Sequence, residues 1–219
     1  MKASIVIANF NNEKFINDCI NSLNSQTYKN IEIILFDDNS QDNSIEIIEK
    51  FKSVKIIKNN IHTNFATLNQ MNAFKKAIEE SSGDIIFFLD SDDYFHEKKI
   101  EKIIKIFSRE DDKMIVFDYP IILKNNKTFI QKKIKKRFKT YWDYIHPTSC
   151  ISIRKSLVST LFNSINEDRF VNTWMDFRIH LYAKYINKNF ITLDENLTFY
   201  RRHENSATSK FTKISKKWW

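Results

Sequence analysis

The chain of 219 residues has one glycine, Gly83, and two prolines, Pro120 and Pro147. A single glycine excludes the Gly-rich phosphate loops, since neither GxGxxG nor a Walker loop can be written. Any bound nucleotide is then held by side chains, ordinary backbone or a metal. Two cysteines, Cys19 and Cys150, cannot build a disulfide framework, and a reduced, cytosolic protein is the simplest expectation. Long apolar runs are also missing. Runs such as Ile85 to Leu89 fall far short of the ~20 residues that a spanning helix needs. Met1 to Phe10 has too short an apolar core for a secretory signal.

What remains suits a globular enzyme. Hydrophobic residues make up 42% and charged residues 28% of a 26.3 kDa chain, enough for one ordinary domain. No linker-like composition shift or repeat divides it. The expected organisation is one domain over residues 1–207 and a basic, aromatic tail over 208–219, ending in Trp218 and Trp219. The net charge of +8 favours an anionic partner: a nucleotide, a phospholipid surface or nucleic acid. Nucleic acid is not expected, because no recognised binding motif accompanies the charge.

The first half alternates strand and helix. Ser4 to Ala8, Ile31 to Phe36, Val54 to Ile57 and Ile85 to Leu89 are short, β-branched-rich apolar runs that predict buried strands. Between them, apolar residues recur at helical spacing: Ile16, Cys19 or Ile20 and Leu23; Ile45, Ile48 and Phe51; Leu68, Met71 and Ile78. The third of these helices is expected to stop at Gly83 as its C-cap glycine. Ile100, Ile103, Ile104 and Phe107 mark a fourth helix. This order predicts an α/β fold with a mostly parallel, Rossmann-like sheet, whose ligands sit beyond the carboxyl ends of the strands.

The second half is less regular. Met114 to Leu123 and Thr128 to Ile134 predict strands around a turn at Lys124 to Lys127. Ser149 to Ile153 predicts a strand followed by a helix to about Phe162, Met175 to Ile186 a helix, and Phe190 to Leu193 and Leu197 to Arg201 two extended pieces.

The candidate strand ends are Ala8 to Asn11, Asp37 to Ser40 and Asp90 to Asp93. Two carboxylates at a strand end repel, which favours a divalent cation or a hydrogen-bonding ligand. Oxygen-rich, cysteine-free ligation suits Mg²⁺ or Mn²⁺. Taken as residues only, other readings stand beside this one. Asp38 and Asp42 can cap the following helix, Asp93 can cap the next, and Asp176 reads as a first-turn acid favoured by the helix dipole. His203 reads as a solvated neighbour of Arg201 and Arg202, while His62, His96, His146 and His180 form no ligand pattern. The run of lysines and Arg137 across 132–139 reads as a solvated loop or as a contact for an anionic acceptor or lipid.

The segment SIVIANFNNEKFINDCINSLNSQTYKNIEIILFDDNSQDNS, followed by GDIIFFLDSDD, resembles the nucleotide-sugar-binding half of glycosyltransferase family 2. HPTSCISIRKS, WMDFRIHLYAKY and YRRHENS resemble its second half more loosely. The resemblance implies a GT-A fold, with residues 1–110 binding a UDP-sugar and 111–207 facing the acceptor. It implies inverting, metal-dependent transfer to a glycan or lipid-linked acceptor, as in bacterial surface polysaccharide or lipooligosaccharide synthesis. By position, Ala8, Phe10 and Asn11 would line the base. Asp38 would bond the uracil or ribose, and Asp90 would lie by the ribose and diphosphate. Asp92 and His203 would hold Mn²⁺ or Mg²⁺, and Asp176 would be the catalytic base. The sequence departs from the family where Met175 replaces a glutamate, where DDNS replaces DDGS, and near Met71, where an arginine is usual. Alternatives are a nucleotidyltransferase on a related sheet and a non-catalytic basic membrane-binding module. The expected location is cytoplasmic, peripheral on the inner face of the membrane, with the Lys-Trp tail contacting anionic lipid.

Overall fold

Alternating apolar residues along each central strand supply two buried faces, and helices cover both. In the computed structural model, residues 1–109, 114–132, 144–165, 171–204 and 206 are described. The order begins β1 (Ala3–Asn9), α1 (Ile16–Asn24), β2 (Ile31–Asp37), α2 (Ser44–Ile48), β3 (Val54–Lys58), α3 (Ala66–Glu79) and β4 (Ile85–Asp90). It continues β5 (Tyr94–Phe95), α4 (Lys99–Phe107), β6 (Ile115–Lys124), β7 (Lys127–Ile130), β8 (Ile151–Arg154) and α5 (Val158–Ile165). The last elements are α6 (Met175–Leu181), a π-helical turn at Tyr182–Asn187, and β9 (Phe190–Arg202).

The sheet runs β3-β2-β1-β4-β8-β6-β9-β5, with β7 paired to β6. The first four strands are parallel, and β8 is antiparallel to both β4 and β6. Strand β6 therefore points the same way as β4, and β9, parallel to β6, points that way too. This topology delivers the carboxyl ends of β1, β2, β4 and β9 to one edge. On one face, Ile5, Ile7, Phe87 and Leu89 pack with α1 and α4. On the other, Val6, Ile34, Phe36 and Phe88 pack with Met71 and Phe74 of α3, and with α5 and α6. Met71, near where the resemblance leads one to expect an arginine, is thus a core residue. Cys19 and Cys150 are free and buried.

Several expectations need correction. Gly83 does not cap α3, whose C-cap is Glu80, and no glycine has positive φ. Gly83 is instead pressed against β1: a Cβ there would meet Ser4 Oγ at 2.4 Å, Ser4 N at 2.8 Å and Lys2 O at 2.9 Å. Among the described residues, the left-handed positions fall to Asn11, Asn39, Asn125, Asn126 and Lys188. Four of the five are asparagine, whose short polar side chain tolerates that region. Asn125 and Asn126 make the two-residue hairpin turn between β6 and β7, which needs positive φ at both positions.

The two pieces expected around 190–201 are one strand. The polar Asp194-Glu195-Asn196 reads as a break, but β9 bulges there against Phe117 to Pro120. Asn196 Nδ2 fills the interrupted ladder by donating to Pro120 O at 3.0 Å and Gln131 O at 2.8 Å. The helix expected to reach Ile186 leaves α geometry after Leu181 and widens into the π turn. Thr148–Cys150 is a 3₁₀ turn, so β8 starts only at Ile151. Strand β7 ends at Ile130. Residues 133 and 134 of that expected strand, most of the 132–139 basic run and the whole 208–219 tail lie outside the described residues.

Candidate active site

Side chains, rather than glycines, bind the first two strand ends together. Asn9 Nδ2, at the end of β1, donates to Asp37 Oδ1 at the end of β2, at 2.7 Å. Ser40 N donates to Asp37 Oδ2 at 2.9 Å, and Asn11 N donates to Ser40 Oγ at 3.0 Å. Gln41 N donates to Asn11 Oδ1 at 2.7 Å, so the left-handed Asn11 splices one loop onto the other. Asp42 accepts from Glu13 N at 2.8 Å and from Ser44 N at 3.0 Å. It joins the two loops one residue before Asn43, the N-cap of α2. A pocket of about 390 Å³ opens beside these loops, lined in part by Asn11, Asn12, Lys14, Phe15, Asp42 and His203.

Asp38 is buried at the end of β2 and does not cap α2. Its Oδ1 accepts from Asn59 Nδ2 at 2.7 Å, and its Oδ2 lies 2.5 Å from His62 Nδ1. A carboxylate only accepts, so Nδ1 carries the hydrogen. The His62 ring also stacks on Phe10, with centroids 4.1 Å apart and planes 14° from parallel. Phe10 is 40% exposed. His62 is a site residue that sequence reasoning did not single out.

Ala8 pairs in register with Asp90, the last residue of β4. Asp90 Oδ1 accepts from Gln70 Nε2 at 2.8 Å, and Asp90 N donates to Ser149 Oγ at 3.0 Å. Ser149 Oγ in turn donates to Asp93 Oδ2 at 2.6 Å, while Asp93 Oδ1 accepts from Arg201 N at 2.8 Å. Asp93 is fully buried and locks the β4–β5 turn to β9; it does not cap α4. Arg201 NH1 donates to Asp92 O at 3.0 Å, and its guanidinium lies over Phe15 and Tyr94. His203 Nε2, just beyond β9, lies 3.0 Å from Asp92 Oδ2, and its ring packs on Phe15. His203 is thus tied into the site and is not a solvated surface residue.

Negative charge accumulates here. Burial, then the charges of Asp92 and Asp176, push Asp90 up to about 8, against the hydrogen bond from Gln70. Burial and the charges of Asp92 and Asp90 also push Asp93 well above its ordinary value. Asp176, in the first turn of α6, is pushed up to about 6 by burial, opposed by the backbone N–H of Phe177. Such a cluster favours a cation.

The donor set fits a divalent ion of the Mg²⁺ class. Neighbouring ligands of an octahedron with ~2.1 Å bonds stand about 3 Å apart. Asp92 Oδ2 and His203 Nε2 are separated by that distance, and both are only partly buried, open to a diphosphate or water. Among the described residues no third histidine, cysteine or acid joins them in a closed cage.

Behind Asp176 stands a histidine pair. His180 Nδ1 lies 2.8 Å from Asp176 O and must donate to that carbonyl. His180 Nε2 is therefore the acceptor in the neutral ring, 2.9 Å from His146 Nδ1. Burial, then His180, drive His146 down to about 3, so His146 stays neutral, and its contact with His180 braces the first turn of α6.

The model of glycosyl transferase family 2 matches residues 4–162. An uncharacterised glycosyltransferase of Nostoc sp. is 30% identical over 216 residues, covering 93% of this chain and 65% of that protein. The Escherichia coli protein named UDP-Glc:alpha-D-GlcNAc-diphosphoundecaprenol beta-1,3-glucosyltransferase WfgD is 28% identical over 222 residues, 98% of this chain and 83% of its own. Staphylococcus aureus TarS 1–349, solved with UDP-GlcNAc, superposes with a TM-score of 0.74 at 20% identity, over 97% of this chain and 62% of TarS. The chain thus spans less than two thirds of the Nostoc relative and of the TarS chain. The likeness to TarS shows a GT-A fold, and the family match, which covers most of the chain, shows that it belongs to glycosyltransferase family 2.

Proposed function

We propose that the chain carries a metal-dependent, inverting transfer of a sugar from a UDP-sugar to a hydroxyl of a glycan or lipid-linked acceptor. The observation that carries this reading is the meeting of Asp92 and His203 at the edge that also holds Asp38 and Asp90. Phe10 offers an aromatic face to the base, with Ala8 and Asn11 lining its edge, and Asp38 accepts from the ring N–H of uracil. Asp90 lies toward the ribose and diphosphate. Asp92 and His203 would hold Mn²⁺ or Mg²⁺, which supplies Lewis-acid stabilisation of the leaving diphosphate. Asp176 accepts the proton of the attacking hydroxyl from the opposite side, and a single in-line displacement inverts the anomeric carbon.

Support for the donor comes from relatives. WfgD is named for UDP-Glc, and TarS was solved with UDP-GlcNAc. WfgD is also named for an undecaprenol-linked acceptor. We therefore place the reaction in surface polysaccharide or lipooligosaccharide synthesis at the inner face of the membrane, with the basic segments 132–139 and 208–219 contacting anionic lipid. No described helix is long and apolar enough to cross a membrane. Calorimetry tests the donor site: UDP should bind more tightly with Mn²⁺ than in EDTA, and equal affinity rejects the metal. Sedimentation with anionic vesicles tests attachment, which should weaken as salt rises.

A further inference from the structure

We propose that His62 is a built-in stand-in for the nucleobase, filling the base site of the free protein and yielding it to a pyrimidine with a ring imide N–H. The inference rests on the donor reading above and adds what occupies and selects at that site. Three features of the imidazole match uracil. It is a flat ring, stacked on Phe10 at 4.1 Å and within 14° of parallel. It presents a ring N–H to Asp38, with Nδ1 2.5 Å from Oδ2. It uses the carboxylate oxygen left over by Asn59, which holds Oδ1 at 2.7 Å. A base that stacks on this face of Phe10 and donates to Asp38 Oδ2 cannot do so while His62 is there.

The local structure lets the ring leave without disturbing the fold. Asn59 pins one end of the 59–65 segment to Asp38, and also donates to Ile61 O at 2.6 Å. Thr63 pins the other end, its Oγ1 donating to Asn69 Oδ1 at 2.6 Å and its carbonyl accepting from Asn69 Nδ2 at 2.8 Å. Between these anchors the His62 side chain is about one third exposed, and Ile61 beside it is 76% exposed. A rotation about the His62 side-chain bonds clears Phe10, frees Oδ2 and gives up the 3.2 Å contacts of the ring nitrogens with Asn69 Nδ2, which keeps its shorter bond to Thr63 O. The plug also keeps Asp38 satisfied in the free state, where an unpaired buried carboxylate would be costly. Specificity follows from the same chemistry. What replaces His62 must donate from the ring to a carboxylate, as uracil does at N3, whereas cytosine has no hydrogen there.

Competition lowers apparent affinity by the fraction of molecules whose site is open. Displacing a hydrogen bond to a charged group sets that fraction near one tenth. Calorimetry with UDP and Mn²⁺ on wild type, His62→Ala and Asp38→Asn tests the proposal, alongside NMR of the histidine ring protons in wild type. His62→Ala should bind UDP about 10-fold more tightly than wild type, and Asp38→Asn more weakly. In wild type, UDP should move the His62 ring signals away from the upfield positions that stacking on Phe10 produces. If Asp38→Asn weakens UDP binding but His62→Ala leaves it unchanged or weakens it, the plug is wrong and the donor site stands. If UDP leaves the His62 signals in place, the plug is wrong whatever the variant does. If none of the three proteins binds UDP, the donor reading falls and this inference with it.

Discussion

His203 Nε2 stands 3.0 Å from Asp92 Oδ2 although 111 residues separate them in sequence. The pairing follows from direction. Strand β9 runs parallel to β6 and antiparallel to β5, so its carboxyl end returns to the turn that carries Asp92. Tyr94 pairs with Phe199 in that ladder, and Arg201 then bonds both Asp92 and Asp93.

If this pair holds the metal, Asp92→Asn and His203→Ala should each remove the stimulation of UDP binding by Mn²⁺, a loss of roughly 10-fold or more, the scale for a disturbed ligand shell. Both positions lie at the rim and not in the core, so far-UV circular dichroism and the melting temperature should change little. Retention of the full Mn²⁺ effect in both variants would remove these residues from the metal site.

Much of this edge was legible in the sequence, because parallel strands place their polar carboxyl ends together without further information. The apolar runs before Asn9, Asp37 and Asp90 are enough to bring Ala8, Asp38, Asp90 and Asp92 to one side. His203 became a candidate only through resemblance, since its place depends on β9 crossing its bulge as one strand, and the polar 194–196 hides that. His62, Gln70 and Arg201 left no signal. Each acts through a contact between distant segments, and none sits at a spacing that a local pattern could mark. Gly83 was misassigned for the same reason. Proximity to a helix end suggested a cap, whereas its constraint comes from β1.

Gly83→Ala should therefore be destabilising even though alanine suits its backbone angles. The added Cβ would meet the backbone N of Ser4 at 2.8 Å and Lys2 O at 2.9 Å, atoms that cannot rotate away. Overpacking of this kind costs about 1–3 kcal/mol. Urea denaturation should show that loss with an unchanged m-value, and wild-type stability would refute the close approach.

Lys99 and Asp118 form an ion pair at 2.7 Å with no exposed side-chain surface. Lys99 Nζ also donates to Ser149 O and Thr198 Oγ1, both at 2.6 Å. The pair thus buttresses Ser149, which bonds Asp90 N and Asp93. Lys99→Met leaves Asp118 buried beside no cation and should cost about 3–5 kcal/mol. Lys99→Met combined with Asp118→Leu should recover much of that loss. Equal denaturation midpoints for the single variant and wild type would show that the pair contributes nothing.

Asp176 gives the sharpest separation of chemistry from binding. Burial holds its carboxyl at about 6, above the ordinary 3.8, which suits a base that must be ionised yet still take a proton near neutrality. The transfer rate should therefore fall as pH drops through about 6, while UDP binding keeps its own pH dependence. Asp176→Asn preserves the size and the bond to Phe177 N but cannot take a proton. It should lower transfer by ~100-fold or more, the usual loss for a positioned base, and erase the acidic limb at 6. The stability sign is opposite. The folded pKa lies above the unfolded one, so ionisation costs the native state stability as pH rises from about 4 to about 6. Asparagine carries no such cost, and the variant should melt no lower than wild type at pH 8. Transfer at the wild-type rate by a well-folded Asp176→Asn would show that another carboxylate is the base. Asp143, Glu167 and Asp168, which lie outside the described residues, would then be the next to replace.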